Sequence, residues 1–303
     1  MTVRGGSDTA TTTAAASAPE RREPRRGPAG SEIVVRAPGG AEVDFRGHLR
    51  RRRLRNWALG LSVPVLVLVA WQVCADQGWI DSRFYGSPSA AWSEGVGLVT
   101  DGTMAENLWI TVQRLVLGYA IGSVAGVLVG LLLGQSQLLR ATFEPMLRAL
   151  YVIPKLAILP ILLLVFGLGE MPKLAFIALG VFFIVVFSTL SAATMIPTAY
   201  HEVASSYGLR RFQAFRWIVL PGSMPQIVAA LRLASGIAVL LVVAVEFVNA
   251  NDGIGFVTWH AWELFRADRM YAGIVTISVL GVVFSALVSL LGRLLAPWAE
   301  NEG

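Results

Sequence analysis

The sequence is short of the residues that ordinarily carry enzyme chemistry. Cys74 is the one cysteine in 303 residues, which excludes a disulfide framework within the chain. The three histidines, His48, His201 and His260, are scattered, so there is no Cys/His cluster at ligand spacing and zinc chemistry is set aside. Lysine is nearly missing: Lys155 and Lys173 stand among 25 basic residues, an arginine skew that reads as compositional bias. Neither lysine follows a glycine and GxxxxGKS/T does not occur, so the chain has no P-loop to cradle nucleotide phosphates. HExxH and the nucleophile-elbow GxSxG are also missing, which makes an intramembrane enzyme the weakest class despite His201 lying near Ser205 and Ser206. Charge as a whole is scarce, at 15% of residues against about 25% in soluble domains.

What is abundant is apolar: 55% of residues are hydrophobic and the mean hydropathy is +0.61. The apolar residues fall into long runs with short polar connections, the pattern of one polytopic membrane domain. Residues 1–45, rich in Thr, Ala, Ser, Pro, Gly and Arg, read as a disordered cytoplasmic tail without the h-region of a secretory signal peptide. The membrane domain is expected over 46–303. A span needs about 20 residues, and the segments that qualify lie at about 57–76, 108–134, 149–168, 172–195, 225–249 and 270–294.

The basic residues fit a membrane surface and not nucleic acid. Arg46, Arg50, Arg51, Arg52, Arg53 and Arg55 precede the first run, and Arg140, Arg148, Lys155, Arg210, Arg211, Arg216 and Arg293 fall on the same side. The opposite side carries Arg83, Lys173, Arg266 and Arg269 among many acids, so the bias predicts an all-α protein of six spans, N-in and C-in. Trp57, Trp71, Trp79, Trp109, Trp217, Trp259 and Trp298 lie near span ends, where an amphipathic ring is stable at the lipid headgroups.

Three spans carry unusual features. Gly118, Gly122, Gly126, Gly130 and Gly134 recur every four residues, so backbones can approach closely there, within the chain or at a homodimer seam. Each step advances 400°, which predicts that the ribbon drifts and meets different neighbours. Pro154 and Pro160 interrupt the third span; a break in a membrane is tolerated where protein or a water-lined cavity satisfies the freed groups, which makes this span a candidate pathway lining. Arg232 and Glu246 in the fifth span lie about 21 Å apart along the helix. They cannot pair with each other, and intramembrane charges are pathway or gating candidates by default. Arg232 is near enough to the cytoplasmic end to snorkel.

The connection after span four, about 200–217, reads as two short helices. Gly208 stops the first in a left-handed position. The second carries Phe212, Phe215 and Val219 on one side and Arg210, Arg211 and Arg216 largely on the other, after which Pro221 restarts the chain into span five. Such a pair between two spans suits docking on a cytoplasmic partner.

At these residues the sequence resembles a family. The spacing E-A-A-x3-G-x9-I-x-L-P is the coupling-loop signature of bacterial ABC-importer permeases, and Glu202, Ala204, Gly208, Ile218, Leu220 and Pro221 stand in register, with Val203 replacing the first alanine. The glycine ladder, IPKLAILPILLLVFGLGE and EFVNANDGIGF are similar to the nitrate, sulfonate and taurine branch, over roughly 57–298. That branch has proline or a similar residue where Lys155 stands, alanine at Val245 and often glycine at Asn249. The resemblance implies a type I ABC-importer-like permease fold in the bacterial cell membrane, with two permease chains forming the pathway as a homodimer. It also implies two separate ATPase subunits that use ATP and an extracytoplasmic solute-binding protein. No cofactor would be bound by this chain itself. Glu202, Val203, Ala204, Gly208, Ile218, Leu220 and Pro221 would receive force from the ATPase. The substrate would be a small solute such as nitrate, an alkanesulfonate or taurine. A stand-alone secondary transporter or channel, using Arg232 and Glu246 for ion coupling, is the competing class.

Overall fold

The computed structural model describes residues 45–298, and among these every regular element is a helix. The tail expected over 1–45 falls outside the described residues apart from Phe45, as do the side chains of Arg46 and Arg50 to Arg53. Contacts divide the chain into two units, Met1–Leu61 and Ser62–Gly303. Of the first unit the described part is the start of helix α1 (Phe45–Asp76).

The second unit continues with two short helices, α2 (Ser82–Tyr85) and α3 (Pro88–Thr100), the latter capped by Ser87 and started by Pro88, whose missing N–H costs nothing at a first turn. The long apolar elements follow: α4 (Thr103–Gln135), α5 (Gln137–Val152), α6 (Lys155–Phe166), α7 (Glu170–Thr194), α9 (Arg211–Asn249) and α11 (Ala267–Leu295). Between them lie α8 (Thr198–Ser206) and α10 (Ile254–Glu263). Among the described residues, α4, α7, α9 and α11 are each long and apolar enough to cross a membrane, and the bent pair α5 and α6 makes a fifth crossing if taken together. Within the expected first span, the described apolar stretch is Ser62–Asp76, at the end of α1.

The third expected span, 149–168, is not a single helix. α5 ends at Val152 and α6 begins at Lys155, with the two axes bent by 101°. Pro154 explains the break. It cannot donate to the α5 ladder, and it pushes Ile153 into extended backbone (φ −62°, ψ 128°). Pro160, in contrast, lies inside α6 without interrupting it.

The glycine ladder also departs from expectation, because all five glycines face one neighbour. A Cβ built on Gly118, Gly126, Gly130 or Gly134 would lie 2.7, 2.8, 2.7 or 2.5 Å from the Cβ of Ile177, Val185, Thr189 or Ala193, and one on Gly122 would strike the Ala178 carbonyl oxygen. The partners on α7 also advance by four. The drift of 40° per step is therefore absorbed by the crossing of the helices: rows of i±4 residues are inclined to the axis, and two helices crossing along such rows stay in contact throughout. Because both registers ascend together, α4 and α7 run parallel. The chain between them must cross back, which is what α5 and α6 do.

The same reading orients the rest. Gly292 meets Val228 and Gly281 meets Val239, so α9 and α11 are antiparallel. Tyr119 donates to the Leu231 carbonyl at 2.9 Å and stacks edge-on against Phe284, which ties α4 to both. Leu115, Phe176, Ile177, Val181, Val242 and Val245 form the buried centre. One end of the bundle thus holds the starts of α4, α7 and α11 with α10; the other holds the α4–α5 turn, α8 and the end of α11.

Candidate functional site

The sequence motifs fall at opposite ends of the bundle. At one end α8 projects as an exposed helix. Its stop is a complete Schellman motif: Gly208 takes φ +69°, its N–H donates to the Ser205 carbonyl at 3.0 Å, and the Leu209 N–H donates to the Ala204 carbonyl at 3.0 Å. The expected left-handed glycine is therefore present. Ala204 is buried, while Glu202, Val203 and Tyr207 point outward.

The second short helix expected after Gly208 is not separate. From Arg211 the chain runs into α9 without a break, through a π-helical turn at Phe215–Val219, so Ile218, Leu220 and Pro221 lie within one continuous helix and Pro221 restarts nothing. The proline is tolerated because the π turn has already displaced the hydrogen-bond ladder there. Phe212 does not share a face with Val219: it is exposed while Val219 is buried, since the wider turn removes the 3.6-residue register between them. Beside this region Met195, Tyr200, Trp217, Pro221, Gln226 and Trp298 line an open cleft of about 510 Å³.

At the other end a charged cluster, buried at Arg114, Lys173 and Glu246 and half exposed at Glu170 and Asp252, joins α4, α7, α9 and the turn before α10. Arg114, which sequence reasoning missed, is its centre and is 2% exposed. Its Nε and Nη2 form a fork on Glu170, both at 2.6 Å. Nη1 donates to Glu246 Oε1 and to the Asp252 carbonyl, both at 2.9 Å, and Nη2 also donates to Asp252 Oδ1. All five guanidinium N–H donors are thereby engaged. Lys173 joins through Glu170 at 2.8 Å.

Glu246 is fully buried and is satisfied from three directions: by Arg114, by the Thr111 hydroxyl at 2.9 Å and by the Gly255 N–H at 2.9 Å. The first N–H groups of α10, which have no intrahelical partner, are caught in turn by Asn107, Thr111 and Glu246. This explains the glycines of EFVNANDGIGF. Gly253 has φ +101° and a Cβ there would collide with the Glu246 carboxylate; one on Gly255 would lie 2.7 Å from Glu246 Cβ. Glu246 thus does need a partner other than Arg232, and that partner is Arg114. The signal was available, since an arginine inside the apolar run 108–134 is as costly as the charges already noted.

Arg232 is exposed and makes one long contact, 3.5 Å, with the Ser289 carbonyl near the end of α11. The structure brings it to neither Glu246 nor the cluster. Pro154 lies at the break between α5 and α6, and Pro160 lies within α6. Among the described residues no group of His, Cys, Asp and Glu is placed to hold a metal ion.

Comparison with known proteins bears on this arrangement. Residues 122–300 match the family model described as the binding-protein-dependent transport system inner membrane component, a range that contains α8, Pro221 and Glu246 but not Arg114. A Bacillus subtilis protein named as an aliphatic sulfonates transport permease is 30% identical over 82% of this chain and 91% of its own length. The taurine transport system permease protein of Escherichia coli is 28% identical over 84% and 97%, and the nitrate import permease protein of Synechococcus elongatus is 30% identical over 68% and 72%. In fold the chain is similar to a chain of the inward-facing MetNI methionine ABC transporter (TM-score 0.55, 20% identity, 67% of this chain and 98% of that one). It is also similar to a chain of a bacterial ABC transporter for alginate import (TM-score 0.58, 16%, 84% and 96%). With the helical bundle and the matched residues in agreement, the chain belongs to the binding-protein-dependent transport system inner membrane component family: it is a multi-pass inner-membrane ABC-importer permease, a translocation component and not an enzyme.

Proposed function

We propose that this chain forms the pathway of an ATP-driven importer for a small anionic solute of the nitrate, alkanesulfonate or taurine class, and that α8 with the start of α9 receives force from a separate ATPase. The observation that carries the reading is the exposed helix at one end of the bundle. α8 is closed by Gly208, seated by the buried Ala204, and presents Tyr200, Glu202, Val203 and Tyr207 outward. A short rigid helix with a mixed aromatic and acidic face is suited to a groove on another protein. Its continuity, after one turn, with the 39 residues of α9 gives a lever from that groove to the buried centre.

The remaining parts of the reading follow from it. The ATPase would lie against α8 on the cytoplasmic side and would be the subunit that uses ATP, and the solute-binding protein would approach the opposite end. A second copy of the chain would complete the pathway. Counting Ser62–Asp76 as a crossing gives six spans with both termini inside, in keeping with the arginine bias. Glu202, Val203, Ala204, Gly208, Ile218, Leu220 and Pro221 are the proposed coupling residues, Pro154, Pro160 and Arg232 the pathway or gating candidates, and Glu246 a gating candidate through the cluster it completes and not through contact with solute. The names of the sulfonate, taurine and nitrate relatives support the substrate class. A stand-alone ion-coupled carrier is disfavoured, because the Glu246 carboxylate is committed to Arg114, Thr111 and Gly255.

The test is uncoupling. In a reconstituted complex of permease, ATPase and binding protein, Glu202→Arg or Gly208→Asp should reduce solute uptake per ATP hydrolysed by about tenfold or more while the permease still inserts and folds. Normal uptake in both variants would show that force enters elsewhere.

A further inference from the structure

The break at Pro154 does more than bend the third crossing, because it places a partly exposed lysine at mid-length of the bundle. Lys155 Nζ lies 4.1 Å from the Tyr151 ring centroid and 5.5 Å from that of Phe183. Phe183 is near the midpoint of α7 (Glu170–Thr194), about 20 Å from its start and about 17 Å from its end at 1.5 Å per residue. A lysine side chain reaches about 6 Å when extended. Lys155 therefore cannot carry its charge to either end, as Arg232 can, and it does not lie on the cytoplasmic side where the count of basic residues placed it.

Its charge is also unmatched. Among the described residues, ion pairs engage Arg114, Arg148, Lys173, Arg266 and Arg269 with carboxylates, and none engages Lys155. It has three N–H donors. One is given to the Tyr151 carbonyl at 2.5 Å, a carbonyl freed because α5 stops at Val152. The Tyr151 and Phe183 rings flank the ammonium and hold it in place. A fixed cation at mid-depth without a counter-charge is tolerated where it faces water, and it attracts anions.

We propose that Lys155 is a specificity-determining residue of the pathway: its ammonium faces the water-filled route and forms a passing site for a small monovalent oxyanion such as nitrate or a sulfonate. This rests on the reading of the chain as an importer of such solutes. Pro154 exposes the lysine by stopping α5, and the flanking rings keep it from folding back. One ammonium with two donors to offer holds an oxyanion weakly, which suits a site that must release what it receives.

The experiment uses the full complex of permease, ATPase and binding protein in proteoliposomes, with labelled nitrate and ethanesulfonate as probes. Lys155→Gln should lower uptake of both by about tenfold or more, the lower end of what charge focusing supplies. Lys155→Arg, which keeps the charge on a differently shaped head, should retain more uptake than Lys155→Gln. A charge rescue guards against misfolding. In a Cys74→Ser background, Lys155→Cys is treated with water-soluble methanethiosulfonates that attach either an aminoethyl or a sulfonatoethyl group. The cationic adduct should recover uptake and the anionic adduct should not, although both are made on the same folded protein. Equal uptake by the two adducts, no reaction of the cysteine with either reagent, or parental uptake in Lys155→Gln would each overturn the assignment. An unaltered complex that hydrolyses ATP yet takes up neither probe would overturn the functional reading itself, and the role of Lys155 with it.

Discussion

The two ends of the bundle solve opposite problems. At the end that holds Arg114, charge is paired inside the chain: the buried Arg114, Lys173 and Glu246 share one network with the half-exposed Glu170 and Asp252, and Glu246 has no exposed surface. At the end that holds α8, large apolar side chains are left outside; Tyr200, Val203, Tyr207, Phe212 and Trp217 are each more than half exposed. Such a network is a folding device, since losing Arg114 strands the fully buried Glu246 without a cation. An open aromatic face beyond the apolar spans has nothing to gain within the chain and is suited to a partner. The difference predicts that the first end is broken by loss of stability and the second by loss of coupling with stability intact.

The largest effect is expected at Arg114. Arg114→Met removes every donor of the guanidinium and leaves Glu246 buried without a cation, which should cost about 3–5 kcal/mol. Arg114→Lys keeps the charge but not the fork on Glu170, and should recover only part of that loss. Thermal unfolding of the detergent-solubilised permease measures both. If Arg114→Met unfolds at the parental temperature, the cluster is not what holds that end together, and the contrast between the ends fails.

A smaller effect is expected along the ladder that joins the ends. Gly122→Leu drives a side chain against the Ala178 backbone and should destabilise by about 1–3 kcal/mol as the helices part. Gly236→Leu, where a Cβ meets nothing within 4 Å, is the control and should be nearly neutral. Equal unfolding temperatures for the two would mean that the α4–α7 seam contributes little, and that the ends are independent.

These residues also show what can be read from a sequence of this kind. Four of the expected spans, those that became α4, α7, α9 and α11, are visible because apolar runs of membrane length have few alternatives. The Gly208 stop is visible because a helix end is local, decided within about six residues. The break at Pro154 is local too, although its angle is not. What could not be read is non-local. The glycine ladder announces close packing, but whether it faces one helix or several depends on a crossing angle that the spacing alone leaves open. Arg114 and Glu246 are 132 positions apart, and nothing in either run names the other. The merging of the second loop helix into α9 turned on a π turn, a change of one residue per turn that apolar periodicity does not resolve.

The smallest effect sharpens the comparison most, because it separates the two kinds of end with the loss of two methyl groups. Val203 is half exposed beside the buried Ala204, so Val203→Ala removes two methyl groups from an open surface of α8. Stability should stay within about 0.5 kcal/mol of the parent. Alanine also relieves the χ1 restriction that a β-branched residue meets in a helix, which offsets what little packing is lost. If α8 seats in a partner, the same change alters the contact and should shift uptake per ATP by about two- to threefold, a few tenths of a kcal/mol in the fit. A shift in coupling at constant unfolding temperature would mark Val203 as part of an interface. A fall in unfolding temperature without a change in coupling would place α8 with the Arg114 cluster, as part of what holds the bundle together.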